Sequence, residues 1–442
     1  MIPDLGARLD RAARQAPAAP GLVTPDGALS RRSLLCRIAG AARAHATAHC
    51  VRPDDARVWL PWLAGGMLGG GSVRFDRQGT ATPPPVGDSV PTPADPRVPC
   101  LAVQTSGSTG SPRALIRDRA AWLRCFAAEE TALGLSPADR VLVLGQPAFS
   151  LTPYAALRAL HLGAAVGVLA QVTPDRAQAV LAGLAPTVVY GAPPVIRMLA
   201  RCAQERAVRA PVRRIIAGGA RLTPVQAAAI RNVWPDAAVT TFYGAAETSY
   251  VTLNTAPDPA DPADVGTPLD GVATAVAGDG RLRVRTPYAA IAEETADGGR
   301  CALADAEGWI TLADRAEHTA SGRLRLLGRA DARINVGGAL VDPTPLAQAL
   351  ERLPWVAEAA VVAMPDARRS QAAVALLVPD SGLPEDAVPS LRRVLPAKGE
   401  LPAPDRVLAL TGAVPRTAGG KLDANAIVEG LAANTLAATV VG

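Results

Sequence analysis

The sequence predicts an α/β protein with a large N-terminal domain of layered α/β subdomains and a small C-terminal α+β domain. Short strand-like runs alternate with helical stretches between residues 101 and 242, which is the pattern of a largely parallel sheet covered by helices. A compact run of helix, strand, strand and helix follows residue 343. At 442 residues, the chain is long enough for two or three domains.

The elements of the N-terminal domain can be placed in chain order. An amphipathic helix is predicted over 29–47, and an apolar segment over 59–71 is expected to pack inside. The stretch 78–99 holds seven prolines and few apolar residues, which predicts a surface linker. We then predict strands at 101–104, 141–144, 187–190, 214–217 and 238–242, with helices such as 118–133 and 153–162 between them.

A hairpin arm over 321–327 leads into the C-terminal part of the chain. We place a domain boundary near residue 330, which gives an N-terminal domain, 1–329, and a C-terminal domain, 330–442. The elements expected in the smaller domain are helix 344–353, strands 359–363 and 373–378, helix 387–395 and a tail.

The composition argues against several classes of function. The formal net charge of +5 is small for this length and no run of five basic residues occurs, so nucleic acid and anionic membranes are not expected as partners. The six cysteines are scattered with no C-x-x-C pair, which argues for a reducing compartment. No apolar signal region opens the sequence, and the most apolar stretch, 58–73, is too short to span a bilayer. We therefore expect a cytoplasmic protein with no membrane span.

Lysine is nearly absent, since Lys398 and Lys421 are the only two among 45 basic residues. A lysine in such a chain could mark a place that needs a compact ammonium group on a flexible stem, although two residual lysines are the simpler interpretation on this ground alone. Lys421 lies in a glycine-rich turn, from which its ammonium could move into a site.

A glycine-rich segment, TSGSTGSPR over 105–113, follows a predicted strand and precedes a predicted helix. Glycines let the backbone approach a ligand closely, while hydroxyl and amide groups surround anionic oxygens and Arg113 adds charge. The spacing is not that of a Walker A loop. A phosphate-binding loop and a flexible linker are the two interpretations of this segment alone.

Two further regions carry side chains suited to chemistry. The segment FYGAAET, residues 242–248, ends a predicted strand, where Tyr243 could stack on a purine and Glu247 could hold a magnesium ion. In isolation, a turn with an exposed glutamate is the better explanation of this segment. Asp314 ends the segment 308–314, and GRADARINVGG follows over 328–338.

In this order and spacing, these segments and the turn PRTAGGK, residues 415–421, resemble the motifs of the adenylate-forming superfamily of AMP-binding enzymes. This family includes acyl-CoA synthetases, peptide-synthetase adenylation domains and luciferases, and its patterns are TSGSTGxPK, YGxTE, TGD, GRxDxxIKxxG and PRTxxGK. The resemblance runs from about residue 20 to 430 and is greatest for the acyl-CoA ligase branch. It implies ATP, Mg²⁺ and CoA or phosphopantetheine as ligands, with a mobile C-terminal domain that carries a catalytic lysine.

The resemblance also implies a role for each matching residue. The catalytic residues would be Lys421, Glu247, Arg113 and Thr105, with Glu247 as the metal ligand and Lys421 bridging the carboxylate and the α-phosphate. Charge neutralisation and positioning would supply most of the catalysis, because a carboxylate attacks a negatively charged phosphate. The nucleotide would be held by Thr105, Ser106, Gly107, Ser108, Thr109, Gly110, Gly219, Ala220, Tyr243, Gly244, Ala245, Asp314 and Arg329.

The resemblance places a hinge at Asp331, and it places Gly337 and Gly338 beside the tunnel through which a thiol attacks the adenylate. It is also imperfect. Arg113 stands in place of the loop's usual lysine, and LAD, 312–314, replaces TGD. The first motif comes early in the chain, so we expect a shortened N-terminal subdomain.

One departure removes a polar group from the expected phosphate site. Ala246 stands where the family has a threonine whose hydroxyl would contact phosphate. Losing such a donor costs roughly 1–3 kcal/mol if nothing replaces it, and Thr248 is a candidate replacement.

Ser150 stands where amino-acid-activating members of the family place an aspartate that pairs with the substrate ammonium. A serine cannot neutralise that charge, and an unpaired buried ammonium is costly, so α-amino acids are not expected as substrates. The remaining lining suits an aliphatic or aromatic carboxylic acid: Phe149, Ser150, Tyr154, Tyr190, Gly191, Ala192, Ile216 and Gly218.

Three functions stay open at this point. The first is ATP-dependent activation of a carboxylic acid to an acyl adenylate, followed by thioester formation with CoA. The same chemistry could instead load the phosphopantetheine of an acyl carrier protein. The third is a nucleotide-binding homologue without activity, against which the retained Glu247, Asp314, Arg329 and Lys421 speak. The sequence predicts neither the identity of the acid nor the oligomeric state.

Overall fold

A computed structural model describes most of the chain. The described residues are 5–44, 49–51, 54–69, 72–75, 99–105, 113–147, 150–295, 299–336, 339–366, 370–396, 403–411, 414–416, 423–433 and 435–441. The linker predicted over 78–99 lies outside these ranges except for its last residue, which begins a strand. Nine predicted site residues also lie outside them: Ser106, Gly107, Ser108, Thr109, Gly110, Phe149, Gly337, Gly338 and Lys421.

Eleven α-helices occur in the described residues. They are α1 (Leu5–Gln15), α2 (Arg31–Ala44), α3 (Ala56–Gly69), α4 (Arg119–Leu133), α5 (Leu151–Leu162), α6 (Pro174–Leu184), α7 (Pro193–Glu205), α8 (Pro224–Val233), α9 (Pro343–Glu351), α10 (Ala387–Val394) and α11 (Ala424–Ala432). No helix in this part of the chain is both long and apolar enough to cross a membrane.

The described strands number twenty-five. Those before residue 260 are β1 (Pro20–Thr24), β2 (Gly27–Ser30), β3 (His49–Val51), β4 (Val73–Phe75), β5 (Pro99–Thr105), β6 (Arg113–Asp118), β7 (Arg140–Leu144), β8 (Ala165–Leu169), β9 (Val188–Gly191), β10 (Arg214–Gly218), β11 (Ala238–Ala245) and β12 (Ser249–Asn254). Those after it are β13 (Asp264–Pro268), β14 (Ala273–Val276), β15 (Arg281–Arg285), β16 (Ala292–Glu294), β17 (Arg300–Cys301), β18 (Ile310–His318), β19 (Leu324–Arg329), β20 (Ile334–Val336), β21 (Ala339–Val341), β22 (Val356–Asp366), β23 (Ser370–Pro379), β24 (Arg406–Leu410) and β25 (Ala438–Val440).

The largest sheet has thirteen strands in the order β14-β15-β18-β19-β13-β12-β11-β10-β9-β7-β8-β1-β2. Its middle, from β1 through β8, β7, β9 and β10 to β11, is parallel. Alternate residues of one strand face two different cores: Val141 and Val143 lie in one, and Leu142 and Leu144 in the other. These strands are therefore continuous apolar runs, as expected of parallel strands that are buried on both faces.

A second sheet, β17-β16-β6-β5-β4-β3, carries the glycine-rich segment. Strands β5 and β6 pair antiparallel, with Thr105 opposite Arg113, and residues 106–112 connect them in the sequence. Helix α4 begins directly after β6, with the Asp118 carboxylate accepting a hydrogen bond from the Ala121 N–H at 2.8 Å.

The C-terminal domain is built on a four-stranded sheet, β22-β23-β24-β25. Helices α9 and α10 contribute to the core on one face, and α11 contributes to the core on the other. The hairpin β20–β21 joins the first of these cores through Ile334, Val336 and Val341. The predicted boundary at 330 coincides with a short 3₁₀ turn, Ala330–Ala332, and stays a prediction.

The two domains meet at the start of α8. Thr223 and Gln226 form a capping box there, and the Thr223 hydroxyl and the Gln226 side-chain amide both donate to the Ala357 carbonyl, at 3.1 and 3.2 Å. The Arg221 guanidinium lies 2.9 Å from the Glu351 carboxylate beside them. Helix α8 thus contacts β22 through its N-terminal turn.

Three predictions about the elements are wrong. The glycine-rich segment precedes the strand β6 rather than a helix, because the short run Arg113–Asp118 pairs with β5 before α4 begins. The large sheet is mixed, since β12, β13, β19, β18, β15 and β14 continue it with antiparallel pairings. The predicted C-terminal tail contains β24, α11 and β25, whose short apolar runs complete the domain's two cores.

Candidate functional site

Residues from β11, β18 and β19 meet at one edge of the large sheet. The Tyr243 hydroxyl donates to the Asp314 carboxylate at 2.9 Å. Asp314 is the register partner of Arg329 in the antiparallel strands β18 and β19. Arg329 donates two hydrogen bonds to Asp331, at 2.8 and 2.7 Å. The structure therefore brings three predicted nucleotide contacts and the predicted hinge residue into one connected group.

The electrostatics of this group follow from burial and charge. Burial, and after it the neighbouring Asp314 carboxylate, raises the pKa of the Tyr243 phenol well above its ordinary value. The hydrogen bonds that Arg329 donates to the Asp331 carboxylate raise the pKa of Arg329. Tyr243 is thus a fixed neutral donor, and its bond to Asp314 sets the orientation of its ring.

Glu247 lies in the turn that joins β11 to β12. Gly244 is required at the start of this turn, because a Cβ atom there would overlap the Ser249 carbonyl oxygen. The Glu247 carbonyl accepts a hydrogen bond from the Ala290 N–H at 2.8 Å, and the Glu247 side chain is half-buried. The turn is held by neighbouring segments on both sides of the glutamate.

The structure does not support Thr248 as a replacement for the hydroxyl missing at Ala246. Thr248 is fully buried, and its hydroxyl accepts from the Ala245 N–H and donates to the Ser249 carbonyl, both at 3.3 Å. The hydroxyl stabilises the turn itself and faces away from a ligand that approaches from solvent.

Thr105 ends β5 and Arg113 begins β6, so both lie at the end of the β5–β6 pair that the glycine-rich segment connects. Thr105 and Arg113 face each other there as register partners. The chain that follows Glu247 returns to this hairpin, because Ile291 donates to the Ile116 carbonyl at 2.8 Å. Residues 290–294 therefore contact both elements. Ala290 donates to the Glu247 carbonyl, and Ala292–Glu294 pair with β6.

The predicted acyl pocket is lined by buried groups. Gly218, Tyr190 and Ile216 are buried in adjacent strands, with Tyr190 opposite Ile216, and the Tyr190 hydroxyl has no hydrogen-bond partner. Gly191 and Ala192 are buried at the end of β9, whereas Ser150 is half-buried ahead of α5. Gly219 is exposed in a left-handed turn with φ of +80°, and Ala220 follows it half-buried.

Two aromatic residues that the sequence analysis did not single out lie next to these residues. Phe242 lies next to Gly218, so closely that a Cβ atom on the glycine would overlap its ring. Its other neighbour is Tyr250, whose ring stacks on it with centroids 4.0 Å apart, and the Tyr154 ring lies 5.1 Å from Tyr250. The register between β10 and β11 places Phe242 beside Gly218, and no local pattern in the sequence predicts that register.

A buried charged pair lies behind these aromatic residues. Glu129 of α4 is fully buried and binds Arg158 of α5 at 3.1 Å, and its carboxylate also accepts from the Tyr154 hydroxyl at 2.9 Å. Burial raises the pKa of Glu129, while Arg158 opposes the shift. The Tyr154 hydroxyl is therefore bound inside the protein, and its ring is buried against that of Tyr250.

The carboxylate oxygens of Glu247 are the kind of ligand that suits magnesium. No group of three or more His, Cys, Asp or Glu residues in the described ranges could hold a metal ion by protein ligands alone. Mg²⁺ commonly binds through one or two carboxylates, with phosphate oxygens and waters completing its shell. The half-buried Glu247 beside the β5–β6 hairpin is suited to such an arrangement.

Comparison with known proteins decides the family. The model for the AMP-binding enzyme matches residues 33–289, and the model for the AMP-binding enzyme C-terminal domain matches residues 346–421. The chain belongs to the AMP-binding enzyme family. The matched ranges include Thr105, Tyr243 and Glu247 in the first domain and Lys421 at the end of the second.

Two proteins similar in sequence to this chain are named as CoA ligases. The chain is 30% identical to YhfT, an uncharacterised acyl–CoA ligase of Bacillus subtilis, over 66% of this chain and 61% of that protein. It is 29% identical to a probable 2-succinylbenzoate–CoA ligase of Mycobacterium tuberculosis, over 74% of this chain and 83% of that protein. The chain thus spans about three fifths of the first relative.

The overall fold of the chain also matches that of a solved structure. The crystal structure of the anthranilate CoA ligase AuaEII in complex with anthranoyl-AMP matches with a TM-score of 0.78 and 17% sequence identity, over 98% of both chains. This confirms the predicted α/β fold with a large N-terminal domain and a C-terminal domain.

Proposed function

We propose that this AMP-binding enzyme activates a carboxylic acid with ATP to an acyl adenylate and then transfers the acyl group to the thiol of CoA. The observation that carries the proposal is the connected group of Tyr243, Asp314 and Arg329 beside the Glu247 turn. The acyl–CoA ligases among the relatives support the same reaction.

The chemistry requires charge neutralisation at a crowded phosphate. Adenylation joins a carboxylate oxygen to the α-phosphorus and releases pyrophosphate. Arg113 and Lys421 are the cationic side chains proposed for this task, and Glu247 is proposed to hold Mg²⁺, which would neutralise phosphate oxygens when bound. Tyr243 and Asp314 would hold the adenine and ribose, so that their binding energy positions the α-phosphorus.

The acid would be aliphatic or aromatic and would lack an α-ammonium group. Ser150 brings no charge to the pocket, and the buried Glu129 carboxylate already binds Arg158 and the Tyr154 hydroxyl. The wall formed by Phe242 and Tyr250 limits the depth of the pocket and provides flat apolar surfaces. These features favour a short or planar acyl group.

The thiol acceptor would be CoA, with an acyl carrier protein as the alternative within the same chemistry. Gly337 and Gly338 are proposed to border the tunnel through which phosphopantetheine reaches the adenylate, and Asp331 is proposed as the hinge of the domain movement. Asp331 is held by Arg329 through two hydrogen bonds, so a movement at this hinge would also displace a proposed ribose contact.

Acid-dependent exchange of labelled pyrophosphate into ATP tests the first half-reaction. A panel of aliphatic, aryl and amino acids should give exchange with one or more acids that are not α-amino acids. Lys421→Ala should lower exchange by at least about a hundredfold, because it removes a charge that acts in the transition state. The matched control is Lys398→Ala, which removes the other lysine and should leave exchange unchanged.

The outcomes separate the alternatives. Thioester formation with free CoA supports the ligase, whereas thioester formation only with a phosphopantetheinylated carrier protein supports the alternative acceptor. Absence of exchange with every acid, despite retained ATP binding, would show a nucleotide-binding homologue without activity and end the proposal.

A further inference from the structure

Arg117 is one of the most deeply buried charged residues in the described part of the chain. It lies on β6, four residues after Arg113, and is 1% exposed. Its guanidinium lies 5.6 Å from the centre of the Trp122 ring. An isolated buried charge is costly, so its hydrogen-bond partners must compensate for the lost hydration.

The partners of Arg117 all belong to the turn that carries Glu247 or to the segment beside it. One terminal nitrogen donates to the Ser249 hydroxyl at 2.8 Å and to the Tyr288 carbonyl at 3.1 Å. The other donates to the Ala246 carbonyl. The planar guanidinium thus binds the residue before Glu247 and the second residue after it.

This turn requires an external partner because its backbone is strained. Ser249 has a φ of +60°, a left-handed conformation that costs a non-glycine residue about 1–3 kcal/mol. The Ser249 hydroxyl in turn donates to the Tyr288 carbonyl at 2.9 Å. Arg117 and Tyr288 therefore hold Ser249 from two sides and limit the positions that the Glu247 backbone can adopt.

We propose that Arg117 is a positioning residue for Glu247, which ties the proposed magnesium ligand to the strand that carries the glycine-rich segment. The inference rests on the proposed function of Glu247 as a metal ligand. Arg113 begins the same strand, so β6 would set the distance between the phosphate-binding segment and the metal carboxylate.

Apolar packing between β6 and α4 does not by itself explain a charged residue at position 117. Burial lowers the pKa of Arg117 to about 10, which shows an unfavourable environment in which the side chain nevertheless remains protonated at neutral pH. Apolar packing between β6 and α4 would be served by an uncharged side chain. The acceptors that require the guanidinium are Ala246 and Ser249 at the Glu247 turn and the Tyr288 carbonyl beside it.

The test uses Arg117→Lys and Arg117→Met in the full-length protein. The matched control is Arg119→Met, since Arg119 is also buried, 7% exposed, and donates to the Met67 carbonyl at 2.8 Å, away from the Glu247 turn. ATP binding is measured by calorimetry over a range of Mg²⁺ concentrations and in excess chelator. Amide hydrogen exchange of residues 246–249 is measured without any nucleotide.

We expect Arg117→Met to raise the Mg²⁺ concentration needed for tight ATP binding by at least about tenfold, the effect of losing hydrogen bonds to a charged group. Binding in chelator should change little, and exchange at 246–249 should accelerate. Arg117→Lys retains the charge without the planar fork and should give a smaller shift in the same direction. Arg119→Met should leave the Mg²⁺ dependence unchanged.

Two results would overturn the inference. An unchanged Mg²⁺ dependence in either Arg117 variant would show that the contacts do not position Glu247. Tighter Mg²⁺ binding in Arg117→Met would show that the positive charge merely repels the metal. If Arg117→Met does not fold, Arg117→Lys decides alone. These measurements need no turnover, so they are independent of whether any acid supports pyrophosphate exchange.

Discussion

Acidification should destabilise this protein through His161, which is buried in α5. The side chain is 2% exposed, its ring lies 5.5 Å from that of Phe126, and its Nδ1 atom has no hydrogen-bond partner. Burial, followed by repulsion from Arg8 and Arg158, lowers its pKa from the ordinary 6.5 to about 3. The folded protein therefore keeps this imidazole neutral at pH values where the unfolded chain protonates it.

The sign and size of the effect follow from that difference. Ionisation of His161 has no effect on the free energy of unfolding above pH 6.5, where the imidazole is neutral in both states. It lowers that free energy progressively as the pH falls from 6.5 toward 3, because only the unfolded chain gains a proton in that interval. Each pH unit within it is worth about 1.4 kcal/mol. Acidification from pH 7 to pH 5 should therefore lower the free energy of unfolding by about 2 kcal/mol through this residue alone.

Urea denaturation at pH 7 and pH 5, followed by tryptophan fluorescence, measures this contribution. His161→Leu should lose about 2 kcal/mol less than the wild type between the two pH values, since leucine cannot be protonated. His318→Leu is the matched control, because His318 is exposed at the end of β18. An equal loss in the wild type and in His161→Leu would refute the assignment.

Three further predictions concern the nucleotide, the core and the pocket. Asp314→Asn should weaken ATP binding in calorimetry by roughly tenfold to a hundredfold, and it should bind ATP and its 2′,3′-dideoxy analogue alike, because the variant loses the acceptor that we propose for the ribose hydroxyls. Arg158→Met should destabilise the protein by about 3–5 kcal/mol in urea denaturation by leaving Glu129 buried and unpaired, and adding Glu129→Gln should recover part of the loss. Gly218→Ala should cost about 1–3 kcal/mol by overlap with Phe242, and a cost unchanged when Phe242→Leu is added would contradict this packing.

The parallel strands and the motif residues could be predicted because their signals are local. Strands such as β7 and β10 are short apolar runs bounded by polar residues, and burial on both faces makes that pattern unambiguous. The segment around Tyr243 and Glu247 stands out by its residues, but only the resemblance to the family's motifs favours a nucleotide site there. Its neighbours Asp314 and Arg329 lie far along the chain, and only the order of the motifs indicated that they would meet.

Strand β6, the buried charged residues and the position of Phe242 could not be predicted, because they depend on contacts between elements far apart in the chain. Strand β6 is a six-residue run with charges at both ends, which resembles the first turn of the helix that follows it. Arg117 and Glu129 look like surface charges in the sequence, and only the packing of β6, α4 and α5 buries them. Phe242 lies beside Gly218 only because of the register between β10 and β11.

The capping box at the start of α8 bears on the proposed movement of the C-terminal domain. Thr223 and Gln226 satisfy each other's backbone N–H groups at 3.0 and 3.3 Å, and each uses a side-chain hydrogen to reach the Ala357 carbonyl. If the proposed movement carried β22 away, the helix would stay capped and water could take the place of the Ala357 acceptor. This contact is therefore specific in geometry, and the integrity of α8 does not depend on it.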